Sequence, residues 1–360
     1  MFTIRKRHVL LSAVAAGAVS ALTASTAFAA VEWTVTESPD IGTGYSFDAM
    51  DVLTDEDAWA VGTAATNSGT GTVAAHWDGS AWTHTKTPEG WDLLDVSAAA
   101  NADVWAVGRG ADGSVAAHWD GRAWQDMESP KPELPDGQVP GLYTVDMIAS
   151  GEAWAGGCGD GDSGSTAFAQ QWDGDKWTVM ELPVPDGADN SCVFSIDFVA
   201  EDNVRVYGTT WDKKAWILHW NGHEWTTEKT PDDTESVTLT DSYLNRTGEL
   251  CASGYTLNEN LKPSPYLLCR DGETWTEVKT PDMDAFIGAI GSDGDGGVYL
   301  AGRSFDDKPV LLHYDGDAVT EETAPTSEGG GLTAVASAPG STRTWVAGTA
   351  GDKGLAAYTG

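Results

Sequence analysis

Serine, histidine and aspartate are the side chains of a nucleophilic triad, and the chain offers suggestive strings for them. Gly161-Asp162-Ser163-Gly164 places a serine in a turn-like setting, and Ala-Ala-His-Trp ending at Trp77 supplies a histidine. A triad also needs a buried acid to orient the histidine and N–H donors facing the serine. The pattern argues against both. Ala-Ala-His-Trp returns at Trp119 as an ordinary repeated string, and the serine lies in a glycine-rich run. No HExxH, GxSxG, phosphate loop or dinucleotide fingerprint occurs either. The chain reads as a non-enzyme with no catalytic residue.

Metal chemistry fares little better. His76, His118, His219 and His313 share one repeat position. Strands stand about 4.8 Å apart, so equivalent residues far out on neighbouring repeats would lie on the order of 10 Å apart, too far to share an ion. They are expected as half-buried residues between repeats. The acidic strings GDGDSG from Gly159 and SDGDGG from Ser292 resemble pieces of calcium loops but carry no closing glutamate. No metal or other cofactor is expected, a weak calcium site being the alternative to solvated turns.

Binding chemistry is better represented. Tyr45, Trp91, Trp211, Tyr255 and Phe305 fall outside the repeated aromatic positions, in connecting segments. Asp189 and Asn190 lie in the same class of segment, as do Asn67, Asp136, Asp232, Asn258 and Asp306. Rings beside Asn and Asp suit sugars, whose C–H faces stack while their hydroxyls find hydrogen-bond partners. The same grouping equally suits a protein hot spot. Tyr45, Trp91, Trp211, Tyr255, Phe305, Asp189 and Asn190 form the expected ligand-binding set.

The elements that would hold these residues come from an internal repeat. One string runs HWDG at His76, HWDG at His118, QWDG at Gln171 and HWNG at His219. It continues as CRDG at Cys269, HYDG at His313 and AYTG at Ala357. A second string precedes each copy: AWAVG to Gly62, VWAVG to Gly108, AWAGG to Gly157 and RVYG to Gly208. Then follow LCASG to Gly254, YLAG to Gly302 and WVAG to Gly348. An alternating apolar run opens each unit, as in LLDVSA at Leu93. Another strand closes it, as in WTHTKTP to Pro88. Each unit is thus four short strands, a to d, joined by Gly-, Asp- and Pro-rich turns. The Asp-Gly or Asn-Gly between c and d provides the positive φ that a tight hairpin needs.

Seven such units spell an all-β chain, a seven-bladed β-propeller of four-stranded antiparallel blades. The tryptophans at repeated positions are expected in the core. The last unit ends at its turn without a strand d. VEWTVTESP, from Val31 to Pro39, is a strand d without a unit. Residues 31–39 should therefore complete blade seven and close the ring, leaving no free edge.

The first 29 residues read as a signal peptide: Arg5, Lys6 and Arg7, an apolar run, then Ala27-Phe28-Ala29 as a cleavage site. Residues 30–360 form the single propeller domain of an exported, extracellular protein, by a Sec or Tat route. Loss of three basic residues takes the formal charge from −35 to about −38. So acidic a surface favours solubility and repels nucleic-acid phosphates and anionic lipid headgroups. No later segment is apolar for long enough to embed in a membrane. Four cysteines in an exported chain mean two disulfides. Cys158 and Cys192 end and begin strands on one face, and Cys251 and Cys269 are symmetric about a hairpin, so 158–192 and 251–269 are the sensible pairs.

The repeat VWAVG followed by HWDGxxW resembles that of secreted seven-bladed propellers of actinobacteria and, more distantly, tectonin-type propeller lectins. DGxxW is also similar to the Asp-box hairpin of sialidase-like propellers, without that motif's Ser-x-Asp-x-Gly spacing. The resemblance covers the whole chain after the leader, but its motifs are structural. It implies a lectin-like face that recognises cell-surface or polymeric glycans, within a secreted toxin particle of the umbrella type at its most specific. A protein-binding scaffold in a secreted complex is the alternative, and an extracellular glycan-active hydrolase a third. A chain started at Tyr45 should aggregate or melt far below the intact protein, because an outer edge of blade seven would be exposed. An unchanged melting temperature would count against closure by residues 31–39.

Overall fold

The computed structural model describes residues 31–39, 41–42, 44–66, 69–148, 151–162, 164–186, 190–212, 214–231, 236–244 and 249–360. These form seven four-stranded antiparallel sheets, and no helix occurs among the described residues. Blade one comprises Ala49–Thr54, Asp57–Thr66, Gly69–Trp77 and Trp82–His84. Its plan recurs to blade seven, made of Leu332–Ala336, Trp345–Ala350, Lys353–Thr359 and the N-terminal Trp33–Val35.

Closure follows the expected register. Trp33 pairs with Thr359, Thr34 with Tyr358 and Val35 with Ala357. Thr36 then donates from both its N–H and its hydroxyl to the Ala356 carbonyl, and its Oγ1 accepts from Trp82 Nε1 of blade one at 3.0 Å. Thr85 receives Trp124 Nε1 of blade two at the same distance. Thr36 thus does for the joint between blades seven and one what Thr85 does for the next.

The repeated tryptophans explain how the blades adhere. Trp59, Trp105, Trp154 and Trp345 are at most 1% exposed. Each meets two tryptophans of the following blade: Trp59 lies 5.2 Å from Trp119 and 5.6 Å from Trp124, and Trp345 lies 5.5 Å from Trp77 and 6.0 Å from Trp82. The glycine that ends each second string is dictated by contact. A Cβ at Gly62, Gly108, Gly157, Gly254, Gly302 or Gly348 would stand 1.8–2.2 Å from a carbonyl oxygen in strand a of its blade or in the segment just before it. In blades two to seven a bulge in strand a falls at this level.

Two expectations are refined. The repeated histidines are half-buried, but their partners lie in their own blade. His76 stacks on Trp59 at 4.5 Å and bonds Asp57 through Nε2 at 2.9 Å; His118 with Asp103 and His313 with Asp293 repeat the contact. The c–d turn is a four-residue loop in blades one to four and six, and the expected two-residue hairpin occurs in blade five, between Asp271 and Thr274. In the longer loop the glycine takes the positive φ, while the aspartate accepts the next two N–H groups, as Asp78 Oδ1 does from Ser80 and Ala81. Those bonds and the Ser80 hydroxyl hold Asp78 down at about 2.

Around the central channel, aspartates clamp one blade to the next. Asp51 accepts from Ala98 N at 2.7 Å, Asp95 from Val145 N at 2.8 Å, Asp146 from Phe198 N at 2.7 Å and Asp241 from Ile290 N at 2.9 Å. The other oxygen of each accepts the following N–H of its own strand. Burial pushes Asp95 and Asp241 up to about 7 and raises Asp51 and Asp146 as well. A carboxyl raised in the folded state contributes stability that is full below its ordinary value near 4 and is lost as pH climbs to the folded value. The melting temperature should therefore fall between about pH 4 and 7. The fall should be shallower in Asp95→Asn/Asp241→Asn, though that variant melts lower throughout for want of an acceptor. Thermal melts across that range check this, and an equal slope in the variant would refute it.

Candidate functional site

Strands b to c and strands d to a are joined on one face, and blades three and four build a specific structure there. Trp211 sits at the b–c turn of blade four, between Asn203–Thr210 and Ala215–Trp220. It is 61% exposed, yet it is held at two points. Its N–H donates to the Asn190 carbonyl at 3.0 Å, and its Nε1 donates to Ser165 Oγ at 2.8 Å. Ser165 Oγ donates in turn to Asp160 Oδ1 at 2.9 Å, and Ser165 N to Asn190 Oδ1 at 2.6 Å.

The foundation is covalent. Cys158 and Cys192, two residues from Asp160 and from Asn190, are disulfide-bonded with their Cα atoms 4.9 Å apart. The bond ties strand b of blade three to strand a of blade four, the two strands whose ends carry Asp160 and lead from Asn190. Cys251 and Cys269 form the other disulfide, across the b and c strands of blade five. Closing loops of this size stabilises by about 3 kcal/mol in the chain-entropy account.

This arrangement also reassigns the Gly-Asp-Ser-Gly string. A Cβ on Gly164, whose φ is +108°, would stand 2.6 Å from Asn190 Oδ1. That glycine gives Asn190 room to reach Ser165. Ser163 lies outside the described residues. Asn190 itself has φ +83°, a left-handed conformation that Asn tolerates better than most residues.

Beside Trp211 opens a cavity of about 310 Å³, between Pro185 and Asp186 on one side and Thr210, Lys214 and Trp216 on the other. Lys214 Nζ pairs with Asp212 at 3.3 Å. Glu228, also on the wall, is committed to the frame by Arg205 at 3.1 Å and by Trp275 Nε1 at 2.6 Å. The cavity lining combines the buried Trp216 ring with hydroxyl, ammonium and carboxylate groups, and Trp211 adjoins it in the chain next to Thr210.

The other expected binding residues divide. Tyr45 is 3% exposed, its hydroxyl bonded to the Pro39 carbonyl and its ring against Phe47. Trp91 is 9% exposed and packs in the core between blades one and two. These two cannot be stacking platforms: each occupies the apolar space at a blade joint, which sequence position alone did not reveal. Tyr255 is half-buried, edge-on to Phe286 at 5.0 Å. Phe305 is 59% exposed, its N–H bonded to the Asp284 carbonyl. Asp189, with Asn67 and Asp232, lies outside the described residues.

Sequence reasoning missed Leu261, which is 69% exposed and carries φ +59°. A left-handed conformation costs a leucine about 1–2 kcal/mol. Its signal was an aliphatic residue alone in the polar string Asn-Glu-Asn-Leu-Lys. The calcium alternative also changes. Asp293 of Ser-Asp-Gly-Asp-Gly-Gly accepts N–H groups from Asp295, Gly296 and Gly297 through Oδ1 and bonds His313 through Oδ2. Among the described residues, the one close grouping of metal-ligand types is Glu249 with Cys251 and Cys269, and those two sulfurs are bonded to each other.

No known family profile matches the chain, and no curated protein matches it in sequence. Solved structures do match in fold. YCF48 bound to D1 peptide superposes with a TM-score of 0.58 at 13% identity, covering 92% of this chain and 96% of that one. YCF48 from Cyanidioschyzon merolae gives 0.59 at 14% identity, over 91% and 98%. The six-bladed fucose-binding lectin of Aleuria aurantia gives 0.52 at 14% identity, over 78% and 97%. At such identities the likeness establishes that the chain shares the propeller architecture of these binding proteins.

Proposed function

We propose that this chain is a non-catalytic, exported recognition protein that binds glycans on the face carrying its b–c and d–a turns, with Trp211 as stacking platform. One observation carries the reading: an indole mostly open to solvent is fixed through both its backbone and its ring nitrogen. A ring held in place loses little entropy when a ligand stacks on it. Asp186 and Lys214 at the neighbouring cavity and Asn190 at the base supply hydrogen-bonding groups for sugar hydroxyls. The Aleuria aurantia lectin and YCF48 support the reading as examples of this architecture used to hold a sugar and a peptide. Within a larger secreted particle such a face would choose the surface to which the particle attaches.

The channel aspartates do not favour the hydrolase alternative. Asp51, Asp95, Asp146 and Asp241 each hold two N–H groups, one on each oxygen, as blade clamps. Protein recognition is the second reading, favoured by the exposure of Leu261 and Phe305 on blades five and six.

The test is a glycan array that includes chitin and bacterial wall polymers, probed with residues 31–360. A coherent family of hits is expected. Trp211→Ala should weaken them by about 2 kcal/mol, as for a central aromatic anchor, with an unchanged melting temperature because the ring is exposed. Trp91→Ala should instead lower the melting temperature by removing a core ring. A blank array from folded protein would defeat the glycan reading.

A further inference from the structure

Leu261 and Phe305 belong to one rigid surface, separate from the Trp211 platform. Leu261 tips the b–c turn of blade five, between Leu250–Leu257 and Pro263–Asp271. Phe305 tips that of blade six, between Val298–Ser304 and Pro309–Tyr314. Asp284, in the connection between the blades, holds both turns. Its carboxylate pairs with Lys262, the residue after Leu261, and its carbonyl accepts the N–H of Phe305. Each turn also contains a left-handed non-glycine residue, Leu261 itself and Asp307 at φ +59°. Leu261 therefore gains nothing from burial and is conformationally strained as well. Strain persists where the surroundings over-determine it, and such positions cluster at ligand contacts.

We propose that this surface docks an extended, cationic polypeptide segment of a partner protein, with Leu261 and Phe305 seating two of its apolar side chains. An aliphatic tip offers no flat ring for a sugar to stack on, whereas it can pack against apolar side chains. Charge gives the sign of the partner. Glu259, Asp282, Asp284, Asp306 and Asp307 surround the two tips against Lys262, Arg303 and Lys308, all exposed, on a chain of net charge −35. That field attracts a basic segment and raises its rate of encounter. Geometry gives the spacing. Facing sheets stand about 10 Å apart. An extended chain covers that distance in about three residues at 3.3–3.6 Å each, so the same-side spacings that bracket it are two and four residues. Positions i and i+4 of an extended chain point to the same side, so one segment can present two apolar side chains to both tips.

The probe is a set of fluorescein-labelled decapeptides with Leu and Phe four positions apart in a Lys/Ser background. The same pair in a Glu/Ser background, and the Lys/Ser background without the pair, serve as controls. The cationic apolar set should bind at least tenfold more tightly than either control. Phe305→Ser and Leu261→Asn should each weaken it tenfold or more, while Trp211→Ala leaves it unchanged. Leu261→Asn should melt no lower than the wild type, since Asn accepts the left-handed backbone; a loss of binding then cannot be a loss of fold. Failure of the wild type to bind the cationic set, or equal binding by the two tip variants, overturns the proposal. So does loss of glycan-array signal in Phe305→Ser, or a concentration-dependent dimer that Phe305→Ser abolishes. Those results would give the surface to a glycan or to a second copy of this chain. A blank glycan array leaves this proposal standing, because the Trp211 platform lies on a different blade.

Discussion

Four of the seven blade joints are held by one tryptophan seated against two of its neighbour's, with Tyr207 on Trp275 and Tyr299 on Trp33 in its place at two others, and the rest of the molecule follows from that contact. A buried tryptophan removes 150–250 Å² from water, worth about 4–6 kcal/mol at 25 cal/mol per Å². The indole nitrogens of Trp59, Trp105, Trp154 and Trp345 find no acceptor in those positions. An unmade buried hydrogen bond costs about 1–3 kcal/mol. Packing wins at each joint, so the chain can repeat the arrangement without supplying a polar partner every time. The same contact joins blade seven to blade one through Trp345, Trp77 and Trp82, and residues 31–39 complete the blade on which it depends.

Apolar adhesion between flat sheets is weakly directional, and the channel aspartates make the seating specific. A carboxylate accepting an N–H from the adjacent blade fixes how far one sheet can slide along the other. Asp51 and Asp146 act at one level of strand a, opposite Trp59 and Trp154; Asp95 and Asp241 act at another, opposite Val107 and Ser253. The clamps end at blade six, where Ala289 occupies the level of Asp95, and Thr344 bonding to the Ser292 carbonyl ties blade six to seven instead. The acids therefore serve two purposes at different radii. Inside they set register at the expense of raised pKa values; outside they leave the surface strongly negative.

The repeated residues were legible because each repeats a single physical demand. Trp59 and its equivalents fill a joint, Gly62 and its equivalents yield to a carbonyl, and Asp78 and its equivalents cap a turn. A demand met several times over leaves a pattern even where individual copies degrade, as CRDG at Cys269 does. Binding residues have no such redundancy. Tyr45 and Trp91 occupy the same class of connection as Trp211, and only the packing distinguishes a ring that fills a joint from one that stands clear of it. Leu261 was hard to read for the opposite reason: an aliphatic residue in a polar string is a faint signal, and what singles it out is its backbone angle together with its exposure.

Departures from the repeat then gain meaning against that regular frame. Blade four puts Trp216 over Gly208, where the other blades place a carbonyl of strand a or of the segment just before it, and a cavity lined by Trp216 opens there. Among the described residues, the four non-glycine residues with positive φ, Asn190, Ser236, Leu261 and Asp307, fall in connections of one face on blades four to six. The exposed Trp211, Leu261 and Phe305 stand on those same blades. The b–c turns of blades two and seven are instead short and glycine-bearing, Gly110 to Gly113 and Ala350 to Lys353. Exposed valines also occur elsewhere, Val139 on blade three and Val35 on blade seven, but a ring built from near-identical units has no structural reason to gather left-handed residues and exposed aromatic rings on one arc. The proposed binding role would provide one, with the docking surfaces on blades four to six while the remaining blades keep the ring closed.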